Sequence, residues 1–224
     1  MPWVFHRSAC GVTTMEAVSV GDVLLIQFAR EPVPGRVKTR MIPALAPAEA
    51  CHLHRELVLW TARKLTSAGL GRVELAVAGN TASPLFRQCE RLGVRAVRRQ
   101  QGGDLGQRMC HALAAGLQTH NKVILVGSDC PQIDRDYLAS AIDALDGRDV
   151  VLGPATDGGY VLIGVRQVDV RWFAGVKWGT AGVFAETVAR FERTGAGWQP
   201  LAELQDIDRP EDLALWRALV ELEA

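Results

Sequence analysis

Arg36, Lys38 and Arg40 alternate along the segment Ala29-Arg30-Glu31-Pro32-Val33-Pro34-Gly35-Arg36-Val37-Lys38-Thr39-Arg40. Alternating cations behind a glycine suit a di- or triphosphate. Arginine offers paired, charge-assisted hydrogen bonds, and lysine adds a point charge. Arg30 is a further cation, and Gly35 is expected to let the backbone approach a ligand closely. The segment has neither G-x-G-x-x-G nor the G-K-[ST] of a P-loop, so the dinucleotide and Walker forms of phosphate binding are excluded. Composition alone leaves a solvated basic loop as the alternative.

A carboxylate stands ready in Val126-Gly127-Ser128-Asp129-Cys130-Pro131, directly after the apolar run Lys122–Val126. Held in a turn there, Asp129 could coordinate Mg²⁺ or Mn²⁺ that also bridges phosphates. A single aspartate in a turn needs no ligand, however. Cys130 has no histidine nearby in sequence and reads as a packing residue. In Gly153-Pro154-Ala155-Thr156-Asp157-Gly158-Gly159-Tyr160 the paired glycines fit either a hairpin or a backbone bared for a ligand. On the second reading Asp157 and Tyr160 point into a cleft. Gly102-Gly103-Asp104-Leu105-Gly106-Gln107-Arg108 brings glycines to a helix N-terminus, where amides favour an anionic or polar group. Asp206-Ile207-Asp208 sets two carboxylates just before the last helix.

These segments need a frame to bring them together, and apolar periodicity supplies one. Strands are expected at 22–28, 73–78, 94–98, 122–126, 150–153 and 160–165. Between them, helices are expected from Pro47 to about Leu65, from Ser83-Pro84 to Leu92 and along Leu105–Leu117. Others run from Asp134 to about Leu145, from a Thr180 cap to about Arg193, and over Pro210–Leu222. Strands alternating with helices indicate one α/β domain over residues 21–224, with a mostly parallel sheet covered on both faces. Residues 1–20 read as an extension ahead of it. In such sheets ligands sit at the carboxyl ends of the strands, where the segments above lie.

Composition narrows the partners. Lys+Arg and Asp+Glu both total 25, so no bulk charge holds the chain on nucleic acid or an anionic membrane. The five cysteines form no C-x-x-C pair and read as reduced thiols of a cytoplasmic protein. No apolar run reaches the ~18–20 residues of a membrane span. His52 and His54 are two apart on a helix and face different sides, so they are not a metal pair. Trp60 and Trp216 fit helix faces, and Arg95, Arg98 and Arg99 read as a solvated sheet edge.

Taken in order, F-A-R-x-P-x-P-G-x-V-K-T-R, G-D-L-G-x-R-M, G-S-D-C-P, G-P-x-x-D-G-G-Y-x-L-I-G and D-I-D-x-P-E-D-L resemble one family. It comprises small GT-A-type transferases known as arsenosugar-biosynthesis glycosyltransferases or radical-SAM/selenodomain-associated transferases, within the nucleotide-diphospho-sugar transferase superfamily. The resemblance covers roughly residues 22–222. It implies a GT-A, Rossmann-like three-layer sandwich, a nucleotide or nucleotide-sugar donor, a small-molecule acceptor and a functional link to a radical-SAM enzyme. It implies phosphate binding by Arg36, Lys38 and Arg40, with Lys38 also catalytic, and a divalent metal on Asp129 and Asp208. Asp104 and Arg108 would lie near the nucleoside. Asp157 would be a general base, with Gly158, Gly159, Tyr160 and Trp178 on the acceptor side.

Two positions depart from the family pattern. Trp178-Gly179-Thr180-Ala181 stands where Trp-Ser-Thr and then an acid are usual, and Arg209 replaces a threonine whose N-cap hydroxyl is worth about 1 kcal/mol. The expected activity is metal-dependent transfer of a sugar from a nucleotide diphosphate. Nucleotidyl transfer with release of pyrophosphate is the alternative, disfavoured because the first loop lacks the L-A-G-G-x-x-x-R-M form of those enzymes. A non-catalytic sensor would have no need of both Asp129 and Asp208.

Overall fold

The structure, a computed structural model, describes residues 22–42 and 44–223. The expected extension at 1–20 lies outside the described residues. Seven strands form one sheet: β1 (Val23–Arg30), β2 (Arg72–Ala78), β3 (Ala96–Arg99), β4 (Lys122–Val126), β5 (Val150–Pro154), β6 (Tyr160–Val165) and β7 (Trp198–Pro200). Their order is β3-β2-β1-β4-β6-β5-β7. β1, β2, β3 and β4 run parallel, β6 is antiparallel to both its neighbours, and β7 is parallel to β5. The α/β reading with a mostly parallel sheet therefore holds.

Alternation along each strand divides the core into two layers. Val23 and Leu25 of β1, with Ile124 and Val126 of β4, face α1 (Pro47–Ala68), α2 (Pro84–Arg91) and α4 (Arg135–Ala144). Leu24 and Ile26, with Val123 and Leu125, face α3 (Leu105–Gly116) and α5 (Val183–Thr194). This is a three-layer sandwich. A third cluster joins α1 to α6 (Leu213–Leu222) through Leu53, Leu57, Trp60 and Trp216, and it also takes in Met41 and Ile207. The Trp60 and Trp216 rings meet edge to face at 5.1 Å.

The helix ends show which sequence signals act. Pro47 opens α1, and Gly69 (φ 64°) ends it in the left-handed conformation. Asp134 caps α4 by accepting from the Tyr137 N–H. Thr180 does not cap α5: Gly182 holds that position, and the Thr180 hydroxyl donates to the Lys177 carbonyl instead. The Pro210 helix starts as a single 3-10 turn, Pro210–Asp212, before α6. Strand β7, three residues long at the sheet edge, carried no alternation from which to expect it.

Candidate functional site

The order of β3-β2-β1 against β4 puts a switch point between β1 and β4, where an open α/β sheet leaves a crevice. A cavity of about 610 Å³ occupies that crevice. Its walls come from the ends of β1, β3 and β4, the start of the reversed β6, and the N-terminus of α3.

The basic loop borders the cavity along its whole length. Met41 is fully buried and anchors the loop, and Arg36, Val37, Lys38, Thr39 and Arg40 all line the cavity, Val37 and Lys38 from buried positions. Arg30 lines it as well. Lys38 has φ 50°, and it alone of the described non-glycine residues has a positive φ. A left-handed backbone at such a residue is uncommon and costs of order 1–3 kcal/mol. It delivers a side chain only 3% exposed to the carboxylate of Asp129, Nζ to Oδ1 at 2.9 Å. The ammonium also donates to the Ile207 carbonyl.

Gly35 has a different task from the one expected. Its φ of 76° makes the turn, nothing surrounds its missing Cβ, and it lies outside the cavity lining.

The acidic segment is held with the same economy. Ile207 is fully buried in the third cluster, and its N–H donates to the Asp129 carbonyl at 2.8 Å. In an extended segment this turns Asp206 and Asp208 the other way. Asp208 lines the main cavity, and Arg40 Nη1 donates to its Oδ2 at 2.6 Å. Asp212 accepts from the N–H groups of Asp208 and Arg209 and from the Gln205 amide, which ties the acidic segment to the start of the last helix.

The charges explain the titration behaviour. Burial works to raise the Asp129 carboxyl, but the Lys38 ammonium outweighs it and holds the group below the ordinary carboxylate range. Asp206 goes the other way: burial and then the nearby Asp157 push it up to about 6, with Asp129 and Asp208 adding. Burial pushes the Cys130 thiol up to about 12, as befits a packing residue.

Among the described residues, no three metal-ligating side chains gather closely enough to hold an ion. The donor set still fits a hard divalent cation. Asp129 and Asp208 are carboxylates on one cavity, and oxygen donors of that kind are what such an ion takes.

Other expected residues divide. Asp104 and Arg108 line the cavity at the start of α3, where Asp104 caps the helix through the Gln107 N–H and Arg108 Nε donates to the Gly102 carbonyl. Tyr160 lines it too. Asp157 lines a second cavity of about 300 Å³ with Thr156, Gly179, Thr180, Ala181 and Asp206, which meets the first at Arg40 and Asp208.

Gly158 and Gly159 line neither cavity. They serve the β5–β6 hairpin: Gly158 has φ 86°, and the Asp157 carboxylate accepts from the Gly159 N–H. Trp178 is outside both linings as well. It packs on α3 where Gly106 has no side chain, since a Cβ there would come 2.6 Å from the indole.

The sequence reading missed His54, Gln100 and Ser128, all on the main cavity. His54 shares the buried stripe of α1, and its Nε2 meets the Arg30 carbonyl at 3.0 Å. Burial lowers its pKa. Ser128 receives the Gln27 amide and donates to the Phe28 carbonyl. Gln27, a fully buried polar residue inside an apolar strand, was the signal for this network. Arg95, Arg98 and Arg99 are exposed at the β3 edge, where Arg98 pairs with Glu74. No helix among the described residues is long and apolar enough to cross a membrane.

No curated protein matches this sequence. Among solved structures, a protein from Desulfovibrio desulfuricans G20 assigned as a nucleotide-diphospho-sugar transferase is 30% identical, with a TM-score of 0.76. The alignment covers 84% of this chain and 82% of that one. A CMP:2-keto-3-deoxy-manno-octonic acid synthetase complexed with CTP shares the fold at 14% identity and TM-score 0.57, over 91% of this chain and 100% of the other. A Mycobacterium tuberculosis H37Rv protein solved with manganese shares it at 18% and 0.52, over 89% and 98%. Residues 61–180, more than half of the sequence, match the family described as "Uncharacterized protein conserved in bacteria (DUF2064)". The chain belongs to that family, and its fold is that of the nucleotide-diphospho-sugar transferases.

Proposed function

We propose that this chain is a metal-dependent glycosyltransferase that binds a nucleotide-diphosphate sugar and passes the sugar to a small acceptor. One observation carries the reading. A single cavity of about 610 Å³ at the carboxyl edge of the parallel strands presents Arg30, Arg36, Lys38 and Arg40 together with Asp129 and Asp208. That combination suits a nucleoside diphosphate, and the likeness to the Desulfovibrio protein supports it.

In this reading Arg36, Lys38 and Arg40 hold the diphosphate, and Asp104 and Arg108 border the nucleoside. Asp129 and Asp208 hold a divalent Mg²⁺ or Mn²⁺. The ion supplies Lewis-acid stabilisation of charge on the leaving diphosphate. Lys38 and the arginines add fixed positive charge to the same oxygens, preorganised in a partly dry site. The smaller cavity, joined to the first at Arg40 and Asp208, takes the acceptor. Asp157 lines it and is placed to accept a proton from an attacking hydroxyl. A functional link to a radical-SAM enzyme, and a cytoplasmic setting, belong to the same proposal.

Thermal-shift measurement with nucleoside diphosphates, nucleotide sugars and NTPs, each with and without Mn²⁺, tests this directly. Metal-dependent stabilisation by nucleotide sugars, followed by release of nucleoside diphosphate in the presence of an acceptor, is the expected result. Release of pyrophosphate from an NTP would assign nucleotidyl transfer instead. No shift with any nucleotide in either condition would sink both.

A further inference from the structure

We infer that Lys38 and Arg40 are placeholder cations: in the free protein they occupy the two carboxylates, so a divalent ion enters well only together with a diphosphate. The inference rests on the reading above, in which Asp129 and Asp208 receive the ion.

Two pairs carry it. Lys38 Nζ lies 2.9 Å from Asp129 Oδ1, and Arg40 Nη1 lies 2.6 Å from Asp208 Oδ2. Each expected ligand of the metal is thus bound to one expected ligand of the phosphates, and both cations come from one short loop. The Lys38 ammonium is the more constrained. Its side chain is 3% exposed, its backbone is held left-handed, and its remaining partner is the Ile207 carbonyl of the acidic segment. A buried ammonium needs a counter-charge, and Asp129 supplies it.

The energetics follow from keeping every charge matched. A divalent ion on Asp129 alone would compete with the ammonium for the same oxygen and leave Lys38 buried without its partner. A diphosphate alone would draw Lys38 and Arg40 away and leave Asp129 and Asp208 facing its negative oxygens. When both enter, the cations turn to the phosphates and the carboxylates to the ion, and no charge is stranded. Ion and diphosphate therefore raise each other's affinity by one shared factor. The pairs that the ion must break are part of the resting state, so removing a placeholder should free the metal site in advance.

Mn²⁺ binding to the full chain, read from the electron-paramagnetic-resonance signal of free Mn²⁺, gives the test, with inorganic pyrophosphate as the phosphate probe. Pyrophosphate chelates Mn²⁺ itself, so the decisive measurement uses Mn²⁺ alone. Lys38→Met should bind it at least ten-fold more tightly than the wild type, while responding less to Mn²⁺ with pyrophosphate. Adding Asp129→Asn should abolish the gain. A folded Lys38→Met protein, by circular dichroism and melting temperature, with Mn²⁺ affinity equal to or below wild type overturns the inference.

Should Lys38→Met fail to fold, Arg40→Gln asks the same question at Asp208 from a side chain that is half exposed, with a several-fold gain expected. No gain there overturns the inference equally. Wild-type protein whose melting temperature does not move with Mn²⁺ and pyrophosphate together would remove the proposed function and this inference together. Wild-type protein that binds the combination, with variants that gain nothing for Mn²⁺ alone, would remove only the placeholders.

Discussion

Replacement of Asp212 by alanine tests how the acidic segment is held. The Asp212 carboxylate is 9% exposed and accepts from the Arg209 N–H at 2.7 Å, the Asp208 N–H at 2.9 Å and the Gln205 amide at 2.8 Å. Loss of the cap-like bond costs about 1 kcal/mol. Each of the other two, left without a charged acceptor, adds roughly 0.5–1 kcal/mol. The sum is about 2–3 kcal/mol, or roughly 5–10 °C in Tm for a domain near 200 residues.

The effect has a pH signature. Burial would raise the Asp212 carboxyl, but the amides of Arg209, Asp208 and Gln205 hold it below the ordinary range. A carboxylate depressed in the native state stabilises fully above its unfolded pKa of about 3.9 and loses that contribution as pH falls through the lowered native value. Urea unfolding of both proteins should thus show a constant gap from pH 7 to about pH 5, closing toward pH 3. A gap below about 1 kcal/mol at pH 7, or one that widens in acid, refutes the reasoning.

Glycine positions allow a paired comparison. Gly158→Ala brings a Cβ within 2.1 Å of the Ala181 carbonyl at φ 86°, whereas Gly35→Ala has φ 76° and nothing within 4 Å. Gly35→Ala should cost roughly 1–2 kcal/mol and Gly158→Ala at least about 2 kcal/mol more, read from melting curves; equal losses would contradict the packing described. His54 predicts a pH effect of opposite sense to a carboxylate of raised pKa. Burial lowers its pKa, so below about pH 6.5 the unfolded chain takes up a proton that the native one refuses, and stability falls as pH drops. Asp206, pushed up to about 6, works the other way, so the comparison is between wild type and His54→Gln. The His54→Gln protein should lose less stability between pH 7 and 5, by up to about 1.4 kcal/mol per pH unit; superimposable profiles would refute it.

Much of the frame could be read from the chain because its signals are local. KVILV at 122–126 becomes β4 with the same bounds, and Pro47 and Asp134 start α1 and α4 as their chemistry dictates. The misreadings share one cause, which is that tertiary packing outranks a local preference. Gly182 displaces Thr180 at the start of α5, where Phe184 N–H reaches the Gly158 carbonyl. Gly106 reads as one of the glycines at an anion-favouring helix N-terminus, and in the fold it makes room for Trp178. His54, two residues from exposed His52, becomes a cavity residue because α1 presents it to Arg30.

Residue type and order alone settled the chemistry on offer: cations alternating at 36, 38 and 40, an aspartate after a buried strand, and two aspartates flanking an isoleucine. Those are short-range facts, written in adjacent residues. Which cation meets which carboxylate was decided by the tertiary structure, because Lys38 and Asp129 stand far apart in the chain, and Arg40 and Asp208 farther still. Only the sheet order, the anchoring of Ile207 beside Met41, and the left-handed turn at Lys38 bring them within bonding distance. Opposite charges gathered around one cavity attract each other before any ligand arrives, and no sequence spacing encodes that pairing.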